Sequence, residues 1–188
     1  MRQRIFIAIN LEEKDKNFLA GYSEKFQDLP AKWTKKENIH ITLEFLGYLT
    51  AESIAEVYKT IEEISAKHNP FTIELNKICY APPDKMPPKM IWATGNKSEE
   101  LNLLKKDLQK ALVERGLIIT ETEKTFIPHI TLARIRAWDF RKIEPEERPE
   151  INEDISFSLG VNSIELMESK LKKGGPEYFV LESCRLNN

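Results

Sequence analysis

The chain has 188 residues, of which 41% are hydrophobic and 31% charged, with a net charge of −2 and a pI near 6.0. These values fit one folded domain, or two small lobes sharing a core, and exclude a disordered chain. They also exclude a protein that coats nucleic acid by bulk charge, while leaving room for one that grips a strand end.

In chain order, "RIFIAINL" (4–11) reads as a strand buried on both faces. Its flanking apolar stretch is too short for a signal-peptide core, and no run approaches the roughly 18 residues of a membrane span, so a cytoplasmic protein is expected. Phe18, Leu19, Tyr22 and Phe26 recur at helical spacing and predict a helix ending near Pro30. A strand over about 38–46 follows, stopped by Gly47. Thr50 can cap a second helix with Ile54, Val57, Tyr58, Ile61 and Ile64 as its apolar stripe. "FTIELNKICY" (71–80) and "MIWATG" (90–95) read as strands around a proline-stiffened loop. Ser98 caps a third helix striped by Leu101, Leu104, Leu108 and Leu112, with Gly116 as its αL stop. A strand over about 126–135, a charged loop over 141–150, and the strands "ISFSLGVNSIELMESKL" and "YFVLESCRL" complete the chain. Short strands mixed with three helices favour α+β over a doubly wound parallel sheet. Neither GxGxxG nor GxxxxGK[ST] occurs, and Cys79 and Cys184 read as two reduced thiols without metal-like spacing.

One word is written twice. "IHITLEF" (39–45) and "PHITLAR" (128–134) place two of the three histidines, His40 and His129, at the head of HITL. Three further letters matching after a given His is on the order of one chance in several thousand. A purely structural duplication would retain Ile and Leu in preference to His and Thr. Strand alternation sends His and Thr to one face and the intervening Ile to the other. Two imidazoles with Thr42 and Thr131 then suit in-line displacement at phosphorus. One neutral ring takes a proton from the attacking oxygen, and a protonated ring gives one to the leaving oxygen. The hydroxyls can donate to the equatorial oxygens. Chemistry alone leaves open which ring does which. A zinc site would need three or four ligands, and the only spare histidine, His68, lies at the polar end of the second helix.

These words, with "RIFIAI", "W…ENIHITLEFLG" (33–47), "IWA" (91–93) and "LMESKL…GPEY" (166–178), resemble the two-histidine phosphoesterase superfamily in order along almost the whole chain. Within it the chain most resembles the RNA 2′,3′-cyclic phosphodiesterases, also called 2′-5′ RNA ligases. The resemblance implies a single bilobal, pseudo-twofold α+β domain, with one HxT motif per half (40–42 and 129–131). Two antiparallel-rich sheets would line a central cleft, with helices packed outside. It implies no cofactor or metal, His40 as proton donor and His129 as proton acceptor. The implied partners are RNA ends or nucleoside 2′,3′-cyclic phosphates, tRNA halves among them, with no membrane and no obligate protein partner. Arg134 is expected to hold phosphate oxygens and Phe45 to stack on a base. Both lie five residues after a histidine, so strict alternation opposes their facing the cleft, and a bulge or twist must turn them inward. Trp92 is expected in the core, and Ser169 and Lys170 at a polar strand end. Gly175 and Pro176 should shape a turn. Lys35/Lys36, Arg134/Arg136/Arg141/Lys142 and Lys170/Lys172/Lys173 could form a modest basic rim. The competing functions are a nucleotide-binding module without catalysis and a phosphodiesterase acting on a small non-RNA cyclic nucleotide or an ADP-ribose derivative.

Overall fold

Nine strands fall into two antiparallel sheets in the computed structural model, which describes residues 2–83, 85–119 and 126–187. The first sheet has the order β3-β1-β8-β9, from β1 (Gln3–Asn10), β3 (His40–Leu49), β8 (Ser163–Lys172) and β9 (Gly175–Arg185). The second has the order β2-β6-β5-β4-β7, from β2 (Ala31–Trp33), β4 (Phe71–Ala81), β5 (Met90–Gly95), β6 (His129–Ile135) and β7 (Asn152–Val161). Without β2 the two orders correspond. A HITL strand lies beside an earlier antiparallel partner, and two more strands follow outward. The α+β pseudo-twofold expectation is met.

The first strand is buried on both faces, as its unbroken apolar run requires. Ile5, Ile7 and Ile9 enter the main core, while Phe6 and Ala8 face the other way and meet Met167 and Tyr178. Helix α3 (Ala51–Ser65) is capped by the Thr50 hydroxyl, which accepts from Ser53 N at 3.3 Å. Helix α4 (Glu99–Glu114) is capped by Ser98, whose Oγ accepts from Leu101 N at 3.1 Å. Leu101, Leu104, Leu108 and Leu112 of α4 are fully buried, and each contributes roughly 1.5–3 kcal/mol by leaving water. Gly116 holds φ +67° at the expected stop. His68 is buried beyond the end of α3 and contacts Asp107 Oδ2 of α4 at 3.0 Å. It ties the two long helices together, away from the cleft.

Three readings of the sequence are corrected, and two short elements are added. The first helix breaks at Gly21 into α1 (Glu13–Ala20) and α2 (Tyr22–Lys25), and Phe18 is half-exposed, stacked on Phe157. The first HITL strand runs on through Gly47 to Leu49 because β1 continues to pair with it. The second begins at His129, not near 126. Strand β2, three residues long, and the short helix α5 (Ala137–Phe140) carry too little periodicity to announce themselves.

Candidate active site

The two HITL strands share one register. On β3, His40 lies opposite Asn10 and Thr42 opposite Ala8; the pairing then skips Leu43, and Phe45 lies opposite Phe6. On β6, His129 lies opposite Thr94 and Thr131 opposite Trp92; the pairing skips Leu132, and Arg134 lies opposite Met90. The fourth letter of the word is therefore the bulged residue in both copies, and both leucines are buried. Alternation restarts one residue late, so the side chain five places after each histidine returns to the histidine's face. That is the inward turn Phe45 and Arg134 needed. The backbone freed at each bulge finds a donor: Lys105 Nζ donates to Leu43 O at 2.5 Å, and Thr34 N donates to Leu132 O at 2.8 Å.

All six residues line one cleft of about 550 Å³ between the sheets. His40 Nδ1 lies 2.7 Å from Asn38 O, and His129 Nδ1 lies 3.0 Å from Ile127 O. A carbonyl can only accept, so each neutral ring carries its proton on Nδ1 and presents a bare Nε2. The Thr42 hydroxyl donates to His40 Nε2 at 2.8 Å. Phe6 and Tyr178 enclose His40, with ring centroids 5.1 and 5.2 Å away. Burial pushes the His40 pKa down to about 4, opposed in part by its bond to the Asn38 carbonyl, with Lys16 and His129 adding positive charge nearby. Burial also lowers the pKa of His129; its bond to Ile127 opposes this and Lys105 adds to it. Two unprotonated imidazole nitrogens thus face a cavity walled by hydroxyls and cations, an arrangement able to move protons to and from a bound phosphoester.

A model of LigT-like phosphoesterases matches residues 10–92 and again 94–178, each span holding one HITL word. The chain belongs to this family. An RNA 2′,3′-cyclic phosphodiesterase of Aquifex aeolicus is 34% identical over 92% of both chains. One of Thermotoga maritima is 28% identical, covering 97% of this chain and 95% of its own. A crystal structure from Thermus thermophilus superposes with a TM-score of 0.82 at 27% identity, over 99% of this chain and 98% of that one.

Within this LigT-like cleft, Phe45 is 68% exposed and not in the core, its ring centroid 6.1 Å from that of Phe6. Arg134 Nη1 touches Met90 Sδ at 3.7 Å. Trp92 is on the cleft wall, not in the core as expected. Its ring stacks on His129 with centroids 4.0 Å apart and planes 26° apart. The stack arises because Trp92 pairs with Thr131 on the histidine face of the sheet.

Ser169 and Lys170 do not line the cleft; Lys170 bridges to Glu168. Gly175 and Pro176 open β9 and also line the cavity. Of the expected basic rim, only Lys35 and Arg134 reach the cleft. Arg136 and Lys142 pair with Asp139, Lys36 with Glu13, and Lys172 with Glu177. Two cations that the sequence did not single out stand there instead. Lys32 comes from the unread strand β2. Lys105 of α4 bridges to Glu44 at 3.3 Å and lies 4.9 Å from the Phe126 ring. No cluster of three His, Cys, Asp or Glu suited to a metal occurs among the described residues.

Proposed function

We propose that this chain is an RNA 2′,3′-cyclic phosphodiesterase that opens a terminal 2′,3′-cyclic phosphate to a 2′-phosphate, with His40 as proton donor and His129 as proton acceptor. The observation that carries the reading is the pair of imidazoles with Nδ1 held by backbone carbonyls and Nε2 directed into one cleft. The names of the Aquifex and Thermotoga relatives support the substrate class.

In this scheme His129 Nε2 takes a proton from water as its oxygen attacks phosphorus. The bond from phosphorus to the 3′ oxygen breaks, and His40 gives that oxygen its proton. Burial keeps His40 neutral in the free protein. The negative charge of the arriving phosphate favours the imidazolium, so the acid takes up its proton along with the substrate. Once protonated, His40 Nε2 no longer accepts from Thr42, so the Thr42 hydroxyl is free to donate with that of Thr131 to the equatorial oxygens, and Arg134 holds them from the side. Phe45, exposed at the mouth, offers a face to a base. The two lobes work as one domain, each supplying one HxT motif. A ribose hydroxyl replacing water would turn the same chemistry into 2′-5′ ligation, with RNA ends such as tRNA halves as partners. Two free thiols, Cys79 and Cys184, suit a reducing cytoplasm.

The test is to supply a nucleoside 2′,3′-cyclic phosphate with excess EDTA and identify the product isomer. Undiminished conversion to the 2′-phosphate is expected. A 3′-phosphate product, or activity that chelation removes and zinc restores, defeats the scheme.

A further inference from the structure

Strands β2 and β6 bring two cations into one row. Lys32 lies directly opposite Arg134, with Met90 of β5 on the far side of the arginine. Residues directly opposite on antiparallel neighbours share a face, and like charges in that position destabilise the sheet. Lys32, Arg134 and Met90 all line the cleft. Among the described residues no carboxylate forms an ion pair with either cation, nor with Lys35, which follows β2 and lines the same cleft. The acidic residue on the lining, Glu44, is already engaged by Lys105 and Gln109. A chain of net charge −2 therefore keeps on its cleft lining three cations that have no carboxylate partner among the described residues.

The tip of the β8–β9 hairpin fixes the lysine there. Lys32 Nζ donates to Gly174 O at 3.2 Å, and Asn38 Nδ2 donates to Pro176 O at 2.8 Å. Gly175 has φ +121°, and a Cβ on it would stand 2.9 Å from Lys32 Nζ. A side chain at that position would displace the ammonium. With one donor spent on the Gly174 carbonyl, Lys32 has two left.

The geometry points to a second anion seat, in which Lys32 and Lys35, beside Arg134, receive the internal phosphodiester next to the terminal cyclic phosphate of an RNA strand. The inference rests on the functional reading above and sharpens its substrate class to an oligonucleotide end, in preference to a mononucleotide. Arg134 follows Thr131 on the histidine face and can reach the reacting phosphate. Lys32 stands one strand further out, about 4.8 Å away across the sheet, where the adjoining phosphate of an extended strand can meet it. A flexible ammonium suits such a contact, since it tolerates more than one orientation of the phosphodiester.

Three probes test the seat: uridine 2′,3′-cyclic phosphate, a dinucleotide ending in a 2′,3′-cyclic phosphate, and the same dinucleotide with an uncharged methylphosphonate internal linkage. The charged dinucleotide should exceed the methylphosphonate one in kcat/KM by about tenfold at low salt, the scale of one charge-assisted contact. The advantage should shrink as salt is raised from about 50 to about 200 mM. Lys32→Gln should bring the ratio close to one, while Lys32→Arg retains most of it. Because both rates are measured on one protein, the ratio does not depend on how much of a variant is folded. Equal rates on the two dinucleotides, or a Lys32→Gln loss spread in proportion over all three probes, overturns the seat. Hydrolysis of none of the three by the unmutated protein overturns the functional reading itself, and the seat with it.

Discussion

The depressed pKa of His40 makes folding stability depend on pH over a defined window. In the unfolded chain the imidazole has its ordinary value of 6.5, and in the folded protein it falls to about 4. Above pH 6.5 the ring is neutral in both states and the full stability is present. As pH falls below 6.5 the unfolded chain takes up a proton that the folded protein refuses. Stability therefore drops with pH until the folded ring also protonates, near 4. The gap of about 2.5 pH units, at 1.36 kcal/mol per unit, is worth about 3 kcal/mol. His40→Gln removes the titration while retaining a polar side chain on the strand. Urea unfolding of both proteins at steps between pH 7 and 4 should show the native protein losing about 3 kcal/mol of stability relative to the variant; carboxylates common to both cancel in the difference. Parallel curves across that window, or an imidazole signal of His40 that titrates near 6.5 in NMR, would refute the reasoning. The kinetic corollary is that kcat/KM declines above about pH 6.5 whichever ring is the acid, since burial holds both free-protein values below that point.

His40→Ala and His129→Ala should each lower turnover of a cyclic phosphate by at least about 100-fold, and the double variant should be little worse than either single one. An activated leaving group should rescue His40→Ala but not His129→Ala, and the opposite pattern exchanges the donor and acceptor roles. Thr42→Val and Thr131→Val should each lose roughly 2–4 kcal/mol of transition-state stabilisation while circular dichroism stays native; unchanged kcat would reduce the threonines to packing groups. Lys105→Met removes a positive charge that holds His129 down, so the limb of the pH–rate profile owed to His129 should move to higher pH, whereas Lys105→Arg should leave it in place. A limb that stays fixed in the methionine variant means the lysine acts only by supporting the Leu43 bulge.

Much of this site could be read from four letters, and what could not traces to identifiable local causes. Alternation was enough to put His40, Thr42, His129 and Thr131 on one face. It failed at the next step, because each strand carries an extra residue at Leu43 or Leu132, and nothing in a buried leucine's identity marks it as bulged. Lys105 sits between Leu104 and Leu108 on α4 and reads as solvent-facing; its long stem instead carries the ammonium to the cleft. Lys32 depended on a three-residue strand too short to show any period. Trp92 looked like core because strand aromatics commonly are, yet its face was fixed by pairing with Thr131, a partner that only the fold reveals.

The two copies also show where chemistry demanded sameness and where it did not. In the proposed displacement each of two apical oxygens needs a proton-transfer group and the equatorial oxygens need donors, which would account for His and Thr in both words. The proposed substrate is not symmetric about that phosphorus, since water stands at one apical position and the ribose 3′ oxygen at the other. At equivalent positions around it the lobes have diverged, Phe45 against Arg134, Phe6 against Met90 and Ala8 against Trp92. A duplicated frame with the same His and Thr in each half and unlike flanks is what the proposed reaction, symmetric in its proton transfers and asymmetric in its substrate, requires.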